Sequence, residues 1–123
     1  MKILVVDDSA SMRAYLVNVI ENGDEELEIV EAENGFEALK ILPHHEFHAI
    51  LTDINMPEIN GLELVSFLKN HPLYKKIPIM VISTESTEAD RKRAEALGAE
   101  EYLCKPFQEA ELVDKLRRML RVA

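Results

Sequence analysis

Three carboxylates, two hydroxyls and one ammonium stand where short apolar runs end. Asp7 and Asp8 follow ILVV, Asp53 follows AILT, Ser83 closes PIMVIS with Thr84 behind it, and Lys105 follows EEYLC. Carboxylates gathered at one place repel one another, which raises their pKa values and destabilises the fold unless a cation sits among them. All-oxygen ligands on an open edge suit a hard ion that keeps several waters: Mg²⁺ before Ca²⁺ and well before Zn²⁺, with Mn²⁺ as a substitute. A carboxylate beside such an ion, with a lysine and a hydroxyl converging on it, can stabilise the equatorial oxygens of a phosphoryl group in transfer. The carboxylate itself can then be the nucleophile.

That chemistry needs the strand ends brought together. Five segments read as buried strands: 3–6, 28–32, 49–52, 78–83 and 100–104. Between them, apolar residues fall at helical spacing, at Met12, Leu16, Val19 and Ile20, at Phe36, Leu39 and Leu42, and at Leu62, Val65 and Leu68. Gly23, Pro43 and Pro72 close those three helices. A fourth helix opens at the Thr87-to-Asp90 capping pattern and stops at Gly98, and a fifth runs from about Gln108 to Leu120 behind Pro106. Five strand–helix units with continuously apolar strands imply a doubly wound α/β fold, a five-stranded parallel sheet with helices on both faces. In such a sheet, ligands bind beyond the carboxyl ends of the strands, where the six polar residues lie.

Composition narrows the partners. The chain has 123 residues, enough for one domain with a core that needs no disulfide, and the whole of 1–123 reads as that domain with no effector module. A formal charge of -9 disfavours nucleic acid and anionic lipid and favours cations and basic protein surfaces. Cys104 is the only cysteine, the apolar start is far too short for a signal peptide or membrane span, and the expected compartment is the cytoplasm.

The segments VVDDSASMR (5–13), TDINMPEING (52–61), VISTE (81–85) and YLCKPF (102–107) resemble the four signature stretches of the response-regulator receiver family, and the likeness spans the whole chain. In look it is nearest to the single-domain chemotaxis regulators. The resemblance implies a flavodoxin-like strand order 2-1-3-4-5. It implies that Asp53 is phosphorylated, that Asp8, Asp53 and the main-chain carbonyl of Asn55 bind Mg²⁺ directly, and that Asp7 helps through water. Lys105 then pairs with the phosphoryl group, Ser83 moves toward it, Tyr102 turns inward, and Asn55 and Glu85 tune the lifetime. The Lys105–Pro106 bond is expected to be cis. A histidine kinase is the implied donor, and a protein target, such as a flagellar motor switch protein, would meet the face made by the fourth helix, fifth strand and fifth helix, where Arg91, Lys92 and Glu95 lie. The expected state is a monomer, and enzymatic activity is limited to self-catalysed phosphoryl transfer and autodephosphorylation. Phosphorelay intermediate, phosphate sink and receiver cut from a larger regulator are the competing roles.

Each residue taken singly has a plainer explanation. Asp7, Asp8 and Asp53 could be turn or cap residues, Ser83 a loop hydroxyl and Lys105 a solvated charge. His44 and His48 have chelating spacing but no further ligand nearby, Arg117, Arg118 and Arg121 complement a helix C-terminus, and Cys104 reads as packing. Only the joint pattern is specific. A flavodoxin shares the fold, but Asp7 and Asp8 would repel its phosphate, and an aspartyl-nucleophile phosphatase would show steady turnover of phosphomonoesters.

Overall fold

The computed structural model describes residues 1–23, 26–84 and 87–122. Its elements are β1 (Lys2–Val6), α1 (Ala10–Gly23), β2 (Glu28–Ala32), α2 (Gly35–Ile41), a 3-10 turn (Leu42–His44), β3 (Ala49–Thr52), α3 (Gly61–Lys69), β4 (Ile79–Ser83), α4 (Glu88–Leu97), β5 (Glu101–Cys104) and α5 (Glu109–Val122). All four strand pairings are parallel and the order is β2-β1-β3-β4-β5.

Alternate strand residues feed two separate cores. Ile3 and Val5, Ala49 and Leu51, Met80 and Ile82, and Leu103 pack with Leu16, Ile20, Leu112, Leu116 and Met119 of α1 and α5. Leu4 and Val6, Ile50, Ile79 and Val81, and Tyr102 pack with Ala38, Leu64, Val65, Leu68 and Ala94 of α2, α3 and α4. Both faces being covered, β1, β3 and β4 are apolar at every position except the terminal Lys2, Thr52 and Ser83, which is why they read as near-continuous apolar runs. Strand β2 is the exception: at the edge of the sheet only its Ala32 is buried, so its burial is less than the sequence suggests.

Two helices also differ from expectation. Phe36 has the spacing of an apolar-face residue of α2, yet it is 48% exposed, and α2 buries Gly35 and Ala38 instead. α3 begins with a capping box in which Asn60 accepts from the Glu63 amide and Glu63 accepts from the Asn60 amide, a start signal additional to those read from the sequence.

At the amino end of the sheet, a lysine knot ties four segments. Lys69 Nζ donates to the Ile77 carbonyl at 2.8 Å and to Glu100 Oε2 at 2.7 Å, while Glu100 Oε1 accepts from the Ile79 amide at 2.8 Å.

The first residue of α3 lies against the end of β3. Gly61 N donates to the Ile54 carbonyl at 2.8 Å, and a Cβ on Gly61 would collide with the main-chain carbonyl of Asp53. Because that obstacle is backbone, Gly61→Ala should lower stability by about 1–3 kcal/mol. Urea unfolding of the two chains checks this, and an unchanged midpoint would refute the close approach.

Candidate functional site

Strand order reverses between β1 and β3, which are neighbours although β2 lies between them in sequence. The crevice at this reversal is where doubly wound sheets take ligands. The Asp53 amide donates to the Val6 carbonyl at 3.0 Å, so the end of β3 lies alongside the end of β1 and the three carboxylates meet. One oxygen from each of Asp7, Asp8 and Asp53 can be chosen so that all lie within 4.8 Å of one another.

Asp7 is 2% exposed, and its Oδ1 accepts from the Ser9 amide at 2.9 Å. Asp8 is exposed and Asp53 lies between the two in burial. Asp53 Oδ1 accepts from the Ile54 amide at 2.7 Å, and the Thr52 hydroxyl donates to the Asp53 carbonyl at 2.9 Å. Lys105 Nζ stands 3.2 Å from Asp7 Oδ2 and 3.5 Å from Asp53 Oδ2 with its side chain only 11% exposed. The Lys105–Pro106 bond is cis, and the Lys105 amide donates to the Ser83 carbonyl at 2.8 Å.

Burial pushes the Asp53 carboxyl above its ordinary range. Lys105 pulls it back, Asp7 pushes it further up, and the Ile54 and Asn55 amides lower it. Burial thus outweighs the mutual repulsion of the carboxylates expected from the sequence. Fully ionised, three carboxylates against one ammonium leave two negative charges in the cluster. An all-oxygen donor set with that surplus fits a divalent hard cation.

Ser83 is fully buried at the last position of β4, and Thr84 is exposed just beyond it. Tyr102 is buried in the middle of β5, in the core beneath α2, α3 and α4. Asn55 is exposed, two residues beyond Asp53. Glu85 lies outside the described residues.

Over residues 3–117 the chain matches the response regulator receiver domain. It belongs to the response regulator receiver family. This receiver domain is 40% identical over 121 residues to the chemotaxis protein CheY1 of Helicobacter pylori, covering 98% of this chain and 97% of that protein. It is 33% identical over 120 residues to the transcriptional regulatory protein SrrA of Staphylococcus aureus, of which it covers 48%. The solved structure of the chemotaxis protein CheY4 of Vibrio cholerae superposes with a TM-score of 0.88 at 34% identity, covering 97% of this chain and 98% of that one. The fold is the flavodoxin-like one of receiver domains.

Other candidates fall away from the receiver site. His48 Nδ1 accepts from the Lys2 amide at 3.0 Å, a structural contact, and no metal-binding group other than the Asp cluster is formed among the described residues. Arg118 pairs with Glu101 at 3.0 Å and Arg117 donates to the Gly23 carbonyl at 3.4 Å. Cys104 is a half-buried free thiol in β5. No helix among the described residues is long and apolar enough to cross a membrane.

The raised Asp53 pKa has a direct consequence for stability. The folded state holds this proton more tightly than the unfolded chain does, so ionisation of Asp53 costs nothing below the ordinary carboxylate pKa and its full amount above the raised one. In metal-free buffer at neutral pH, Asp53→Asn should therefore melt higher than the native chain in calorimetry, and a lower melting temperature would contradict the electrostatic account.

Proposed function

We propose that this receiver domain takes a phosphoryl group onto Asp53 from the phosphohistidine of a histidine kinase and uses it to switch a protein-binding surface. The observation that carries this reading is the convergence of one buried ammonium, Lys105, on two carboxylates of a three-carboxylate cluster at the topological switch point. Asp8, Asp53 and the Asn55 carbonyl would hold Mg²⁺, with Asp7 acting through water. Bound there, the ion would supply positive charge beside the oxygens that gain negative charge in transfer.

A carboxylate oxygen of Asp53 forms the new P–O bond as the P–N bond of the donor breaks, the electron pair leaving with the imidazole. Lys105 then pairs with an oxygen of the new acyl phosphate, and the Ser83 hydroxyl, at the adjoining strand end, turns toward another. Tyr102, already buried in β5 three residues before Lys105, would hold that inward position in the phosphorylated state. The phosphorylated state is favoured in proportion to these interactions, and the altered α4–β5–α5 face binds the target more tightly.

Two relatives that carry the name of chemotaxis proteins favour a chemotaxis-type target such as a flagellar motor switch protein. The match to about half of SrrA keeps the competing role of a receiver from a larger regulator, and a motor-switch peptide that binds the phosphorylated and unphosphorylated chains equally would count against the motor-switch target.

Intact mass after incubation with acetyl phosphate and Mg²⁺ should show one added phosphoryl group on the native chain and none on Asp53→Asn. Equal labelling of both would move the acceptor elsewhere. Loss of the phosphoryl group needs an attacking water, which the polar Asn55 side chain, two residues beyond Asp53, would orient. Asn55→Leu should slow the decay roughly fivefold, the worth of one net hydrogen bond. An unaltered decay, followed by the return of the native mass, would remove Asn55 from that role.

A further inference from the structure

A cation in the first turn of a helix faces the positive end of its dipole, and Arg13 stands in that turn of α1, where there is no acidic residue to offset it. A solvated arginine there would be a net cost. Its side chain is only 16% exposed, and it folds back over the turn joining β1 to α1. Nη1 donates to the Asp7 main-chain carbonyl at 2.6 Å, and Nε donates to Glu31 Oε1 at 3.3 Å. That carbonyl lies one residue past the rung in which Val6 accepts from the Asp53 amide. It is therefore beyond the end of the β1–β3 ladder, and the guanidinium takes it.

The carbonyl that Arg13 holds belongs to the peptide joining Asp7 to Asp8. A peptide is planar, so holding its oxygen restrains the plane that carries the Asp7 and Asp8 Cα atoms, and with it the backbone from which the two carboxylates leave. Glu31, in β2, accepts from Nε and ties the guanidinium to the sheet.

We infer that Arg13, braced by Glu31, is a positioning residue that sets the geometry of the Asp7–Asp8 pair and thereby raises the affinity of the site for a divalent cation. This role rests on the metal-dependent reading proposed above. It has a sign that distinguishes it from simple charge. As a positive neighbour, Arg13 repels a bound cation, and its removal would tighten binding. As a positioning residue its removal loosens binding, because the acidic pair loses its fixed orientation. Lysine keeps the charge but lacks the fork that reaches carbonyl and carboxylate together.

Isothermal titration of Mg²⁺ into the native chain, Arg13→Ala, Arg13→Lys and Glu31→Gln tests this, with metal-free thermal unfolding of each as the control for folding. Arg13→Ala should weaken Mg²⁺ binding about tenfold, the lower end of what outer-shell partners contribute. Arg13→Lys should fall between it and the native chain, and Glu31→Gln, which keeps an acceptor for Nε, should stay near native. Phosphorylation of Arg13→Ala by acetyl phosphate should recover as Mg²⁺ is raised to saturation. Unchanged or tighter Mg²⁺ binding by Arg13→Ala overturns the positioning role and leaves a structural strut. Should Arg13→Ala fail to fold, Arg13→Lys decides alone, native-like affinity overturning the inference. A native chain that binds no Mg²⁺ and takes up no phosphoryl group sinks the metal-dependent reading, and this role with it; native binding with unaltered variants removes only the role of Arg13.

Discussion

The hydrogen bond from the Asp53 amide to the Val6 carbonyl lays the end of β3 beside the end of β1, and the site follows from that pairing. It brings Asp53 next to Asp7 and Asp8 although two strands, two α-helices and a 3-10 turn separate them in sequence. The same reversal of winding sends α1 to one face of the sheet and α2, α3 and α4 to the other, so both cores and the crevice have one topological origin.

The two ends of the sheet use charge differently. At the amino end Lys69 meets Glu100 at 2.7 Å, and Glu100 satisfies the Ile79 amide, so one cation answers one anion. At the carboxyl end Lys105 is shared between Asp7 and Asp53 while Asp8 adds a third carboxylate to the cluster. Burial raises the Asp53 pKa because the surroundings of that carboxylate do not make up for lost hydration. Local rules that hold at one end and are broken at the other mark where stability has been given up for a site.

The fold is largely legible in the sequence because strands covered on both sides must be apolar along nearly their whole length, and helices between them follow. Legibility fails where tertiary context overrides local pattern. Phe36 has the helical spacing of a core residue, but α2 is short and packs through Gly35 and Ala38, small residues that carry little hydrophobic signal. Strand β2 has β-branched residues yet sits at an edge, a position that no spacing reveals. Asp7, Asp8, Asp53 and Lys105 can be found as strand-terminal residues and are brought together. Arg13 escapes the sequence reading, although a cation in the first turn of a helix is a visible departure from the dipole rule. What no spacing can show is the target of its guanidinium, a main-chain carbonyl rather than a side chain.

Strand β5 is the shortest physical link between the crevice and the α4–β5–α5 face. Just past its end stands Lys105, whose amide is bonded to the Ser83 carbonyl, and its middle carries Tyr102, paired across from Val81. The neighbouring α4 is lightly held: of its ten residues only Ala94 is buried, whereas the nine of α3 bury five. An element attached through so little apolar surface opens or shifts at low cost compared with the strands it covers. Under the proposed reading, a new hydrogen bond at Ser83 or Lys105 need supply only a small free energy to reposition α4, while the sheet and α3 stay fixed as the frame against which that movement is registered.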